Sequence, residues 1–600
     1  MDKAKRVFGK KGAASKGQGV MEGVFVLTFG LVMVKIIGFL FKIPVFNMLD
    51  GSGTGYYQTA YTIYTPVYTL ATAGLPSAVS RLVSTYMYGK SYRDVRKTKK
   101  VATKVFIFTG VLGFTVLFAI GMLLPVLVSK GILNPDSYDP KASLCIIAMA
   151  PAVFFCCLMS AYRGYYQGLR NMIPTATSEI IEAFTKLIFG IGATFAVIKY
   201  CQASYNKDGT FLGVHYNTME EAMSACQPYA AAAAIFSVTI GALLGFIYLS
   251  IRFKKMGDTI TEEQIAQSAD PESSKKILKT LLAFGIPIAL GVLTMNIATL
   301  VDMITIKWRL GSIVSQKPQA LLDCYPGLIP AEKDLAEIPN YLFGCYSLNA
   351  SLFNLIPTIV QAFGVSVLPA LTAAWLAKNT DEVKTNISSI LKITSLIAIP
   401  SGLGMSVLAG PILHLLYPGR PAEATIATPM LRVMGITVLF FALLAPINSM
   451  LQAIGKQNVP VKLMLAGCTA KIIINTILIG IPKINVMGAP YGTFVSYSFI
   501  IVASLYILLK NTKVRLNYLQ TFIKPLAAGL MSAAAAWAAD GLLGKVIGSG
   551  KIVTLFALVA AVVVYVAAIL LIKAITYDDL ILIPKGEKFA KILEKRGWIS

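Results

Sequence analysis

Residues Val24 to Pro44 read VFVLTFGLVMVKIIGFLFKIP. A run of about twenty apolar residues is long enough to cross the hydrocarbon core of a bilayer as a helix. This one carries Lys35 well inside it and Lys42 near its far end. A cation at that depth costs several kcal/mol unless it meets water, a counter-charge or a polar cavity. Lys42 is close enough to an edge to snorkel towards the headgroups, with the cavity wall as the other reading. Lys35 is too far from either edge, and the pattern points it at an internal cavity. A cavity with a cationic wall suits an anionic cargo.

The rest of the chain repeats the membrane signal. Of 600 residues, 56% are hydrophobic and only 14% charged, with a mean hydropathy of +0.68. Those totals describe an all-α polytopic membrane protein and exclude a soluble multidomain enzyme. The net charge of +25 would suggest nucleic acid in a soluble chain. Here the Lys and Arg residues collect in short loops, as the positive-inside rule requires, and no nucleic-acid partner is expected. The basic start, Lys3 to Lys16, resembles the first part of a signal peptide. The apolar run behind it is too long and lacks a small-residue cleavage site, so it should remain as an anchor. The eight cysteines have no metal-ligand spacing, and no metal is expected. Cys201 and Cys226 flank one loop and are placed for a disulfide in an oxidising habitat.

Apolar stretches long enough to span recur about fourteen times, at roughly 24–46, 56–88, 104–129, 142–166, 173–199, 228–251, 278–306, 340–376, 389–416, 426–454, 459–481, 488–510, 521–541 and 551–573. Alternate loops are rich in Lys and Arg, among them Lys90 to Lys100, Arg252 to Lys255, and Lys510 to Arg515. An even number of crossings then puts both termini in the cytoplasm. Landmarks also recur at an offset of about 290 residues. The stretch GYYQTAYTIYTPVYTLATAGLPSAVS from Gly55 is answered by GCYSLNASLFNLIPTIVQAFGVSVLPALT from Gly344, and Tyr165–Pro174 by Met450–Pro460, each followed by a lysine, Lys186 and Lys471. Parallel repeats of this kind mark transporters built from two six-helix lobes with the site between them. The expected organisation is an N-lobe at 1–255, a cytoplasmic linker at 256–277, a C-lobe at 278–515, a helix pair at 516–575 and a basic tail at 576–600.

The stretch KIIGFLFKIP, followed by GSGTGYYQTAYTIYTPVYTLATAGLPSAVSRLVS, resembles the MOP exporter superfamily. The nearest branch is that of stage V sporulation protein B and the MurJ-type lipid II flippases of Gram-positive bacteria. The resemblance implies two six-helix lobes in a V, a central cationic cavity, and outward movement of an undecaprenyl-diphosphate-linked saccharide. It also implies that the last two helices make a groove for the lipid tail. The basic residues that the family places on its first helix match Lys35 and Lys42, while its charged positions on the second helix are not matched. Gly55 and the AGLPS stretch stand there instead.

The remaining charged residues divide between site and surface. Glu182 and Lys186, four residues apart, can pair on one helix face. Lys186 is then either self-neutralised or grips substrate while Glu179 or Glu182 changes protonation or accepts a coupling cation. Lys471 has Asn475 where an acid would be needed, which makes it the less neutralised of the two lysines. Arg81 and Arg163 either snorkel to the headgroups or capture the diphosphate at an inner gate. Tyr162, Tyr165 and Tyr166 read as an interfacial belt, and Asp302, Lys307 and Arg309 as a surface cluster at a helix end. Gly89-Lys90-Ser91 lacks the leading glycine of a phosphate loop, so no nucleotide or cofactor is expected and transport must run on an ion gradient, the membrane potential or substrate supply. Two other classes remain. A MATE-type multidrug or cation antiporter would need unpaired carboxylates within the spans. A membrane glycosyltransferase would need a catalytic group on an outer loop, for which His215, Glu220 and Glu221 are the candidates.

Overall fold

The computed structural model describes residues 20–72, 74–131, 139–258, 260–330, 333–548 and 550–575. The basic N-terminal residues and the expected tail at 576–600 lie outside them. Helices dominate, because a backbone in hydrocarbon must satisfy its own hydrogen bonds. Among the described residues, eleven helices are long and apolar enough to cross a membrane, from Tyr92–Ser129 to Lys551–Leu571. The helices Val20–Met48, Gly51–Thr72 and Ser274–Gln316 stand outside those eleven. Val20–Met48 nevertheless contains the opening apolar run as one unbroken helix through Pro44.

The described chain falls into two compact units. One comprises Met1–Val45, Thr59–Leu127 and Pro140–Asn296; the other comprises Phe46–Gln58, Val128–Asp139 and Ile297–Ser600. In the first unit, the second apolar stretch is broken near Gly74 and Pro76. Gly51–Thr72 ends, and Leu75–Tyr88 restarts with a proline in its first turn, where the missing N–H costs nothing. Gly74 has no side chain for a spatial reason: a Cβ there would stand 1.7 Å from the carbonyl oxygen of Gly285 on helix Ser274–Gln316.

The polar segment after Met256 is strapped to the basic start of helix Tyr92–Ser129. Arg96 binds Asp258 and Glu262 at 3.2 and 2.9 Å, and Arg93 binds Asp270 at 2.9 Å. Glu272 accepts from Tyr86 and Lys276, each at 2.7 Å. Those two bonds, the lysine's first, hold its carboxyl below the usual range. Tyr165 and Tyr166 do not form a headgroup belt. Both rings are buried, and Tyr165 donates to Asp258 at 2.9 Å. The loop before Met219 folds as a short antiparallel hairpin pairing Thr210 with His215.

Candidate functional site

The first unit gathers lysines. Lys35 is exposed and Lys42 half-buried on helix Val20–Met48. Seven residues is about two turns, so they share a helix face. Lys186, on helix Ile173–Asp208, brings its Nζ to 5.1 Å from the centre of the Phe41 ring and 5.3 Å from that of Tyr61. Both Lys186 and Lys35 are near enough to act on Lys42 as like charges. Aromatic faces attract an ammonium by their quadrupole without cancelling its charge. The lysine Nζ thus meets ring faces and other cations, an arrangement that repels cations and receives anions. The ladder Tyr61, Tyr64 and Tyr68 continues along helix Gly51–Thr72, the last two rings stacked 5.4 Å apart.

Glu182 has a partner on another helix. It binds Arg163 at 3.2 Å, across from helix Ala142–Gly168, and Arg163 also donates through Nε to Ser178 at 2.9 Å. The expected i,i+4 pair is replaced by this longer-range one because a guanidinium reaches two partners with fixed geometry. Arg163 is largely enclosed, not snorkelling. Arg81, by contrast, is exposed and lies 4.1 Å over the Phe284 ring. Glu179, one turn before Glu182, keeps one carboxyl oxygen buried with no hydrogen-bond partner.

In the second unit the expectation for Lys471 is overturned. Its side chain is buried and its Nζ lies 2.7 Å from Asp302. Asp302 also accepts from Tyr346 at 2.9 Å and from Asn475 at 3.0 Å, and Lys471 donates to the Ala298 carbonyl at 3.3 Å. Asp302 and Lys307 are therefore not a surface cluster; they are 5% and 3% exposed. Lys307 donates to Asn340 at 2.8 Å. A second buried network, also unforeseen, joins Lys333 to Asp50 and Ser52 at 2.9 and 2.7 Å. The signal available for Asp302 was a lone carboxylate in an apolar run, which always needs a partner. Its partner lies 169 residues away, beyond any local spacing rule.

Other sequence candidates dissolve into structure. Cys201 and Cys226 are buried thiols with no disulfide between them, the first facing the Ala222 carbonyl at 3.4 Å. Glu221 caps its helix by accepting from the Asn217 N–H at 3.0 Å, and Glu220 shares that first turn. Among the described residues, no group of His, Cys, Asp and Glu could hold a metal.

Comparison with known proteins agrees with this architecture. The sequence model of the polysaccharide biosynthesis protein family matches residues 20–205, and that of the lipid II flippase MurJ family matches residues 350–575. The lipid II flippase MurJ of Bacillus subtilis (strain 168) is 25% identical over 483 residues, 80% of each chain. Stage V sporulation protein B of the same organism is 22% identical over 474 residues, 79% of this chain and 80% of the relative. A solved structure of lipid II flippase MurJ in an inward closed conformation matches with a TM-score of 0.61 at 15% identity, covering 93% of this chain and all of the other. The fold is that of the solved lipid II flippase MurJ, a multi-pass helical membrane architecture. The resemblance that the opening motifs suggested is thus carried by a polysaccharide biosynthesis match in the first part of the chain and a MurJ match in the last.

Proposed function

We propose that this protein is a flippase that moves an undecaprenyl-diphosphate-linked cell-wall precursor, lipid II or a related saccharide unit, from the inner to the outer leaflet by alternating access. The observation that carries this reading is Lys186 against the rings of Phe41 and Tyr61, grouped with Lys42 and Lys35 of the opening helix. A diphosphate leaving water must exchange hydration for charge-assisted hydrogen bonds, and ammonium groups supply them. Arg81 and Arg163 are then the inner-gate cations. The full reading has about fourteen spans, as two six-helix lobes in a V and a C-terminal pair that receives the lipid tail. Both termini are cytoplasmic in a bacterial plasma membrane. The two Bacillus subtilis relatives support a transporter and not a catalyst, and they differ in name enough that the saccharide stays open between lipid II and a related unit.

The MATE-type alternative asks for unpaired carboxylates in the spans. Asp302 of the second unit is already held by Lys471, and the lysines of the first unit would repel the cationic cargo of such an antiporter, which disfavours it. The test is rescue of cells depleted of their lipid II flippase. The wild-type gene should restore growth, a Lys35→Glu variant at equal membrane level should not, and rescue by neither would remove lipid II as the cargo.

A further inference from the structure

Glu179 is a carboxylate of helix Ile173–Asp208 that the proposed site leaves unused. Its Oε2 is buried without a hydrogen-bond partner, whereas Glu182 on the next turn is held by Arg163. An ionised carboxylate accepts at both oxygens, so an ionised Glu179 would hold a buried lone pair with no donor. A protonated carboxyl has no such need. The groups around it are specific. Arg163 acts on it from helix Ala142–Gly168 and Glu182 from its own helix. Lys186 follows one turn further, beside Phe41 of the helix that carries Lys35 and Lys42. Helix Gly51–Thr72 carries no charged side chain, its titratable groups being the phenols of Tyr56, Tyr57, Tyr61, Tyr64 and Tyr68. Helix Met219–Met256 offers no charged side chain between Glu221 and Arg252.

We infer that Glu179 is a proton-binding residue linked to capture of the anionic head group, an inference that rests on the flippase reading. With Glu179 ionised, part of the positive charge of Arg163 is spoken for by a second carboxylate. A proton taken from water onto Glu179 removes that competitor and leaves the guanidinium to the phosphates. Bringing a diphosphate to the site raises the proton affinity of a nearby carboxylate by the same coupling, since linkage is reciprocal. Only an O–H bond forms, and no co-reactant is needed.

The experiment is titration of purified full-length protein with lipid II in weakly buffered detergent, because its phosphodiesters do not themselves titrate near neutrality. Wild type should take up about one proton per lipid bound, and its affinity should fall up to about tenfold per pH unit on the alkaline side. Glu179→Gln should bind with an affinity that no longer depends on pH and with no proton uptake. Should that variant fail to fold, infrared difference spectra of wild type carry the test, since ligand binding should add the C=O stretch of a protonated carboxyl. Binding by wild type with no proton uptake, or uptake that survives in Glu179→Gln, overturns the linkage alone. Absence of any wild-type binding overturns the flippase reading and this inference with it.

Discussion

Lys186 and Lys471 occupy equivalent places in the internal repeat, each about a dozen residues after a helix-opening proline, yet the two units use them in opposite ways. Lys186 meets the rings of Phe41 and Tyr61 in the company of other lysines. Lys471 is shut into a network with Asp302, Asn475, Tyr346 and the Ala298 carbonyl. A buried ion pair of that kind trades desolvation against Coulomb attraction and specifies one arrangement of its helices. Aromatic faces attract an ammonium through their quadrupole. On the proposed flippase reading, the repeated lysine serves cargo in the first unit and architecture in the second.

The largest effect that could break this comparison lies in the second unit. Asp302→Ala should destabilise the protein by about 3–5 kcal/mol, because it strands the Lys471 ammonium in the interior. Thermal unfolding in detergent would register this, and a melting temperature within experimental error of wild type would show that the pair does not hold the unit. Replacing both partners, as Asp302→Leu with Lys471→Met, should recover most of that loss.

Next comes the first unit. Lys35→Gln should weaken binding of the lipid-linked diphosphate by about 1.5–3 kcal/mol, the worth of one hydrogen bond to a charged group. Its melting temperature should be unchanged, since the side chain is exposed. Lys186→Gln should lose binding in the same range, and Lys35→Arg should retain most of it. Equal binding by Lys35→Gln and wild type in a ligand-titration assay would reduce Lys35 to a snorkelling side chain.

The smallest effect belongs to the strap. Glu272 is partly exposed, so Glu272→Gln should cost only about 0.2–1 kcal/mol. The sign with pH is fixed by its lowered pKa. The contribution is complete above the ordinary carboxylate range and is lost as pH falls through the depressed value. Melting curves across the acid range should therefore converge for wild type and Glu272→Gln, and divergence on acidification would contradict the assignment.

Much of this was readable in the residues. The apolar run at Val24–Pro44 gave a helix, the Gly and Pro residues near 74 gave a break, and the depth of Lys35 gave a cation that needed a reason. Pairing was not readable. Glu182 looked destined for Lys186 because i,i+4 spacing is the only contact that sequence makes visible, while Arg163 comes from another helix. Asp302 looked peripheral because Lys307 and Arg309 follow it, but the helix runs on to Gln316 and buries the acid in mid-span. Long-range ion pairs depend on which helices touch, and hydropathy does not encode that.

The division of labour is tested most directly by comparing two variants for lipid II binding and for stability. One replaces Lys35, Lys42 and Lys186 with Gln; the other combines Asp302→Leu with Lys471→Met. In wild type, saturating lipid II should raise the melting temperature. The triple variant should melt as wild type does without ligand and show no ligand-induced rise, whereas the double variant should keep the rise. A double variant that loses the rise while the triple variant keeps it would place the cargo's cation in the second unit and contradict the account.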